Sequence, residues 1–134
     1  MALKVELKPH ERIILGQVVV RNGDTRAKLF VEGRAPILRE KDILTAETAD
    51  TPAKRIYLAV QLMYLDGDIA EQHKTYFQLV RDFLGAVPSA LGIVDAINNQ
   101  ILSGELYKAL KETKRLVAYE AELLAHATGS ASLR

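Results

Sequence analysis

The stretch Ala35–Leu65, APILREKDILTAETADTPAKRIYLAVQLMYL, divides this chain into two kinds of sequence. It opens near a dense charge run, Arg39-Glu40-Lys41-Asp42, and passes through a polar connector. It ends in Ile56–Leu65, where Gln61 is the strongly polar residue. Thr51-Pro52 is a helix-start signal: a hydroxyl N-cap, then a proline whose missing N–H costs nothing at the first helical position. A helix is expected over Pro52–Leu65. Its apolar residues Ile56, Leu58, Ala59, Val60, Leu62, Met63 and Leu65 point all round its axis, so it must be a central helix or face a partner.

Before this stretch the apolar period is two. Leu3, Val5 and Leu7 alternate with Lys4, Glu6 and Lys8, the pattern of a half-buried strand. Arg12–Leu15 and Val18–Val20 read as further strands, with Gly16 at a bend or bulge. Asn22-Gly23 tolerates positive φ and is expected to form the tight hairpin turn. Ala27, Leu29 and Val31 then alternate with Lys28, Phe30 and Glu32. Ala35-Pro36-Ile37-Leu38 suits an edge strand, where proline is tolerated. A small antiparallel sheet over residues 2–39 is predicted.

After the stretch the period lengthens to 3.6. Asp66-Gly67-Asp68 stops the first helix, and Asp68 with Glu71 forms an Asp-x-x-Glu cap for the second. That helix carries Ile69, His73, Tyr76, Phe77, Val80, Leu84 and Val87 on its apolar stripe. A third helix starts at Pro88-Ser89 and carries Leu91, Val94, Ile97 and Ile101. Ser103-Gly104 separates it from a fourth, striped by Leu106, Leu110, Thr113, Val117, Ala121 and Leu124. The predicted class is α+β: a β region over residues 1–45, a four-helix region over 46–127, and a flexible tail over 128–134.

The totals, 134 residues with 49% apolar and 26% charged, fit one globular domain, or one domain with a small appendage. There are no cysteines, which excludes disulfides, thiolate metal sites and cysteine nucleophiles. Lys4, Glu6 and Lys8 interrupt any secretory h-region, and no apolar run approaches membrane-spanning length. A cytoplasmic protein is expected. Net charge is +1, but residues 1–45 hold nine Lys/Arg against six Asp/Glu, whereas residues 46–134 hold nine against eleven. The basic excess therefore lies in the β region.

The residues do not point to an enzyme. His10, His73 and His126 show no ligand spacing, and His73 reads as a packed or rim histidine. Asp66-Gly67-Asp68 lacks the further ligand positions of a calcium loop. No phosphate loop or nucleophile elbow is present, and no cofactor or metal is expected. Candidate RNA-binding residues are Arg12, Arg21, Arg26, Lys28, Arg34, Arg39 and Lys41, because arginine forks pair with phosphate and stack on bases. The alternative is a solvated sheet face laced with Glu32, Glu40 and Asp42. Phe30 is the one aromatic in the strand region, so an aromatic stacking platform of the RRM type is not predicted. A second basic stripe, Lys108, Lys111 and Arg115 with Lys114 adjacent, is a candidate protein-binding face or a solvated helix surface. Asn98-Asn99-Gln100 is either an exposed face or a hydrogen-bonding one.

The segments LKVELKPHERIILGQVVVRNGD, APILREKDILTAETADTPAKRIYLAVQLMYL, YFQLVRDFL, INNQIL and GELYKALKE resemble the flagellar regulator family FlbT over about residues 2–120. The resemblance implies a bacterial post-transcriptional regulator that binds the 5′ untranslated leader of flagellin mRNA. It implies repression of translation and promotion of mRNA decay, or activation in some bacteria, with FlaF as companion regulator and partner. The alternative is a protein-binding adaptor that acts through FlaF or flagellin without touching RNA. In the front half, Glu11-Arg12-Ile13-Ile14-Leu15-Gly16, Ala35-Pro36 and Arg39-Glu40 are also similar to the translational regulator family CsrA. That resemblance implies an RNA-facing arginine at Arg39 and a homodimer of intertwined strands. Leu7 stands where that family has a first-strand arginine.

Overall fold

A computed structural model describes residues 2–66 and 69–132. The chain divides into two compact units, Met1–Ile43 and Leu44–Arg134, and its class is α+β.

The first unit contains strands β1 (Ala2–Leu7), β2 (Arg12–Leu15), β3 (Val18–Arg21), β4 (Ala27–Glu32) and β5 (Ile37–Arg39). They form two antiparallel sheets rather than the single sheet the alternation suggests. One is β1-β4 and the other is β3-β2-β5. The apolar sides of the two sheets face each other. Val5 and Leu7 from β1 and Ile13 from β2 are the buried centre, with Leu15, Val20, Leu29, Val31 and Ile37 packed round them. On the opposite side of the second sheet, Leu38 is also buried and its register partner Ile14 is half-buried.

The hairpin turn lies elsewhere than predicted. Leu15 pairs with Val18, so β2 and β3 are joined by Gly16-Gln17. Gly16 supplies the positive φ, +65°, that a two-residue turn of type II′ needs at its first central position. Asn22-Gly23 lies on the crossing from β3 to the other sheet, and neither residue has positive φ. Asn22 is a pin instead. Its Nδ2 donates to the carbonyls of Lys8 and Thr25, each at 2.8 Å, and of Leu7 at 3.3 Å. Its amide donates to the Glu11 carbonyl at 2.8 Å. One residue thereby ties together two of the three chain crossings between the sheets, β1 to β2 and β3 to β4.

The second unit holds α1 (Pro52–Asp66), α2 (Ile69–Ala86), α3 (Leu91–Leu102) and α4 (Leu106–Ser132), with a 3₁₀ turn at Pro88–Ala90. The start of α1 is as the sequence predicts. Pro52 has no N–H to satisfy, Thr51 Oγ1 accepts from Lys54 N at 3.2 Å, and another early donor, Ala53 N, reaches Glu120 Oε2 at 3.0 Å. That carboxylate is buried at the positive end of the helix, where the helix dipole favours an anion. α1 packs against α2 and α4, and α3 packs against α4. Ala53, Ile56, Tyr57, Ala59, Val60, Gln61 and Met63 are buried, so α1 is the central helix of this unit.

The later helices are rotated from the predicted stripes. On α2, Tyr76, Val80 and Phe83 are buried while Phe77 is 43% exposed. On α4 the buried residues are Ala109, Leu110, Thr113, Leu116 and Glu120, whereas Ala121 and Leu124 are exposed. α3 buries Val94, Ile97 and Ile101, but Leu91 is exposed. Val87 lies beyond the end of α2. Gly67 and Asp68, the predicted stop and cap, fall outside the described residues. α4 continues to Ser132, past the predicted tail start at Thr128, and no proline interrupts this run.

Gln61 is the one strongly polar residue of the α1 run, and it is buried. Its amide closes a two-way bridge to Leu44, accepting from Leu44 N at 2.9 Å and donating to Leu44 O at 3.0 Å. Asn98 also has an internal partner, since Tyr76 Oη donates to Asn98 Oδ1 at 2.6 Å and links α2 to α3. Burial raises the Tyr76 hydroxyl pKa above its ordinary value.

Candidate nucleic-acid interface

Strand register decides where the basic residues of the first unit go. Arg12 and Arg21 are directly opposed on β2 and β3. Asn22 N bonds Glu11 O, so the neighbouring Arg12–Arg21 pair is a non-hydrogen-bonded one, with Cα atoms about 4.5 Å apart. Both side chains are exposed, on the face away from the core centred on Ile13. Like charges directly opposed across a ladder repel, and a bound anion relieves that repulsion.

Arg39 has a different place. It pairs with Ile13 in register and shares the core-facing side of β5 with Ile37. Its Nη2 donates to the Glu6 carbonyl at 2.7 Å and lies 3.8 Å from Glu11 Oε2. Its Nε is buried with no hydrogen-bond partner among the described residues. Arg39 therefore ties the second sheet to the first strand. The signal is present in the sequence, since Arg39 stands two residues beyond Ile37 on the same side of a strand. Replacing Arg39 with Leu is expected to destabilise the protein by about 1.5–3 kcal/mol, through loss of a charge-assisted hydrogen bond. Urea unfolding followed by circular dichroism checks this; an unchanged midpoint and slope would exclude the tie.

Arg26 and Lys28 belong to the outer side of the β1-β4 sheet, beside Glu6, which is the register partner of Lys28. Arg34 follows Gly33, whose φ of +99° turns the chain after β4, and Lys41 lies in the 3₁₀ turn Glu40–Asp42. Arg12, Arg21, Arg26, Lys28, Arg34 and Lys41 form no ion pair with another described residue. The seven predicted residues thus do not form one patch. Arg12 and Arg21 come together on one outer face, Arg26 and Lys28 on the other, and Arg39 turns inward.

The basic stripe of α4 is locally engaged. Lys108 lies 4.0 Å from Glu105, Arg115 bonds Glu112 at 2.9 Å, and Lys111 sits over the Tyr107 ring at 5.0 Å. Exposed pairs of this kind are worth little individually, and they leave the stripe on the helix surface. His73 stacks edge-on to Phe77 at 5.9 Å, and His10 lies 3.4 Å from Asp24. No group of three His, Asp or Glu side chains that could hold a metal occurs among the described residues.

Comparison with known proteins decides the family. Residues 3–124 match the family model described as flagellar protein FlbT. The chain belongs to the FlbT family. It is 63% identical over 124 residues to the probable flagellum biosynthesis repressor protein FlbT 1 of Bradyrhizobium diazoefficiens, covering 92% of this chain and 85% of that protein. It is 56% identical to the probable flagellum biosynthesis repressor protein FlbT of Rhodopseudomonas palustris, covering 92% and 98%. It is 38% identical over 135 residues to the flagellum biosynthesis repressor protein FlbT of Caulobacter vibrioides, covering 98% and 96%. No solved structure matches the chain. Among the described residues of this FlbT-family chain, no helix is long and apolar enough to cross a membrane.

Proposed function

We propose that this protein represses flagellum biosynthesis by binding the 5′ leader of flagellin mRNA, without acting as an enzyme. The family supports the repressor role, and the relatives carry that name. The observation that carries the RNA reading is the exposed Arg12–Arg21 pair, two directly opposed cations with no carboxylate partner among the described residues. A phosphate between them satisfies both guanidinium forks and removes their mutual repulsion. Arg26, Lys28, Arg34 and Lys41 extend the positive field, blocking of the leader is the means of repression, and the cytoplasm is the place of action.

The test is a salt titration of leader binding with wild type and with Arg12→Ala/Arg21→Ala. Loss of two phosphate contacts should weaken binding and flatten the slope of log K against log salt by about 1.4, from about 0.7 per contact on single strands. Equal affinity and equal slope would overturn the assignment.

A second contact, to FlaF, fits the helical unit. A cavity of about 410 Å³ is lined by Pro52, Leu79, Phe83, Val87, Leu123 and Leu124, among others, and Leu124 is 56% exposed. Of α1, Pro52 and Arg55 line this cavity, while its buried residues pack within the helical unit. Light scattering after size exclusion of the protein mixed with FlaF checks this contact: a complex that Leu124→Asp disrupts is expected.

A further inference from the structure

Phe30 is held outward by the strand pattern around it. Leu29 and Val31 turn to the core, so Phe30 turns away from it on β4 and is 66% exposed. It buries little there, and a phenyl ring held in water loses the burial that ordinarily favours it. Its surroundings are charged rather than apolar. Lys4 is its register partner on β1, and Lys28 lies two residues along the same strand, about 7 Å away and on the same side. Arg26 continues that row beside Glu6 and Lys28. Lys4 is 3.7 Å from Glu6, whereas Lys28 and Arg26 have no ion-pair partner among the described residues. Neither lysine covers the ring, since the cation–π contact among the described residues is Lys111 over Tyr107.

From this juxtaposition we infer that Phe30 is a base-stacking site for single-stranded RNA, with Lys4, Lys28 and Arg26 holding the flanking phosphates. The inference rests on the RNA-binding reading above and names a contact separate from Arg12 and Arg21. A paired strand presents the ring to solvent, and an unpaired base stacks on it whatever its identity. Lys4 opposite the ring on β1 and Lys28 along β4 suit the phosphates on that side of the base, while Glu32, two residues the other way on the same face, directs the strand toward Lys28 and Arg26. A double helix does not fit, because its bases are already stacked.

The probe is a single-stranded oligonucleotide of the flagellin leader carrying 2-aminopurine, whose fluorescence is quenched on stacking. Wild type should bind with quenching. Phe30→Ala should weaken binding about 5- to 150-fold, equivalent to about 1–3 kcal/mol for one stacked base, and abolish the quenching. Phe30→Trp should retain both effects, while Phe30→Leu, apolar but without a π face, should behave as the alanine variant. The residue's exposure makes unfolding an unsuitable explanation, and circular dichroism checks the fold of each variant. If wild type binds while Phe30→Ala binds and quenches equally, the stacking site is overturned and the Arg12–Arg21 reading stands. If Phe30→Leu matches wild type, the aromatic face is not needed for binding and the inference fails. If wild type binds no RNA, both fail together.

Discussion

Ile13→Ala is expected to lower stability by about 2–5 kcal/mol, the range for truncating a large aliphatic side chain in a core. Ile13 is fully buried in β2, and only Val5 and Leu7 share its degree of burial within that cluster. A core this small has few neighbours able to close the cavity. The loss should also loosen both sheets together. β2 is the middle strand of its own sheet, and Ile13 packs with Val5 and Leu7 of the other. Urea unfolding followed by circular dichroism measures the change. A shift in midpoint corresponding to less than about 1 kcal/mol would mean that the two sheets do not depend on this contact.

Gln61→Leu should cost about 2–4 kcal/mol, although leucine is the more apolar residue. The substitution removes both partners of Leu44, leaving an amide and a carbonyl without their present bonds. Unpaired groups of this kind cost about 1–3 kcal/mol each when poorly hydrated. Gln61→Glu retains the acceptor for Leu44 N and loses the donor to Leu44 O, and it introduces a charge at a buried position. Thermal denaturation of both variants is the measurement. Equal or raised stability of the leucine variant would show that Leu44 finds other partners.

The parts of this fold legible in the sequence are those in which local chemistry and burial agree. Thr51-Pro52 starts α1 as read, because a hydroxyl cap and a proline act within one turn. The centrality of α1 follows from apolar residues all round it. Strand alternation correctly separates Leu29 and Val31 from Lys28, Phe30 and Glu32. Legibility ends where partners are chosen at a distance. Asn22-Gly23 has the composition of a hairpin turn, yet β3 and β4 join different sheets, so no hairpin connects them. Helix periodicity gives α2 and α4 apolar faces but not the edge of each that is covered. Phe83 and Leu116 therefore escape the reading, and Leu124 falls on the wrong side of it.

The candidate site divides in the same way. The residue types are readable, and their grouping is not. Register sets Arg12 against Arg21, turns Arg39 inward, and places Lys4 beside Phe30, and register depends on pairings between residues well apart in the chain.

The buried contact from Glu120 to Ala53 also bears on synthesis at the ribosome. Its donor and acceptor are 67 positions apart, and the donor emerges first. Until α4 has been made, the first turn of α1 lacks one of its acceptors, and a short helix without tertiary support is marginal in water. The nascent chain therefore completes the start of its central helix only after Glu120 on α4 has emerged. Hydrogen exchange at the Ala53 amide on stalled chains, lengthened by a C-terminal extension, would time that event, with protection arising once Glu120 has cleared the exit tunnel.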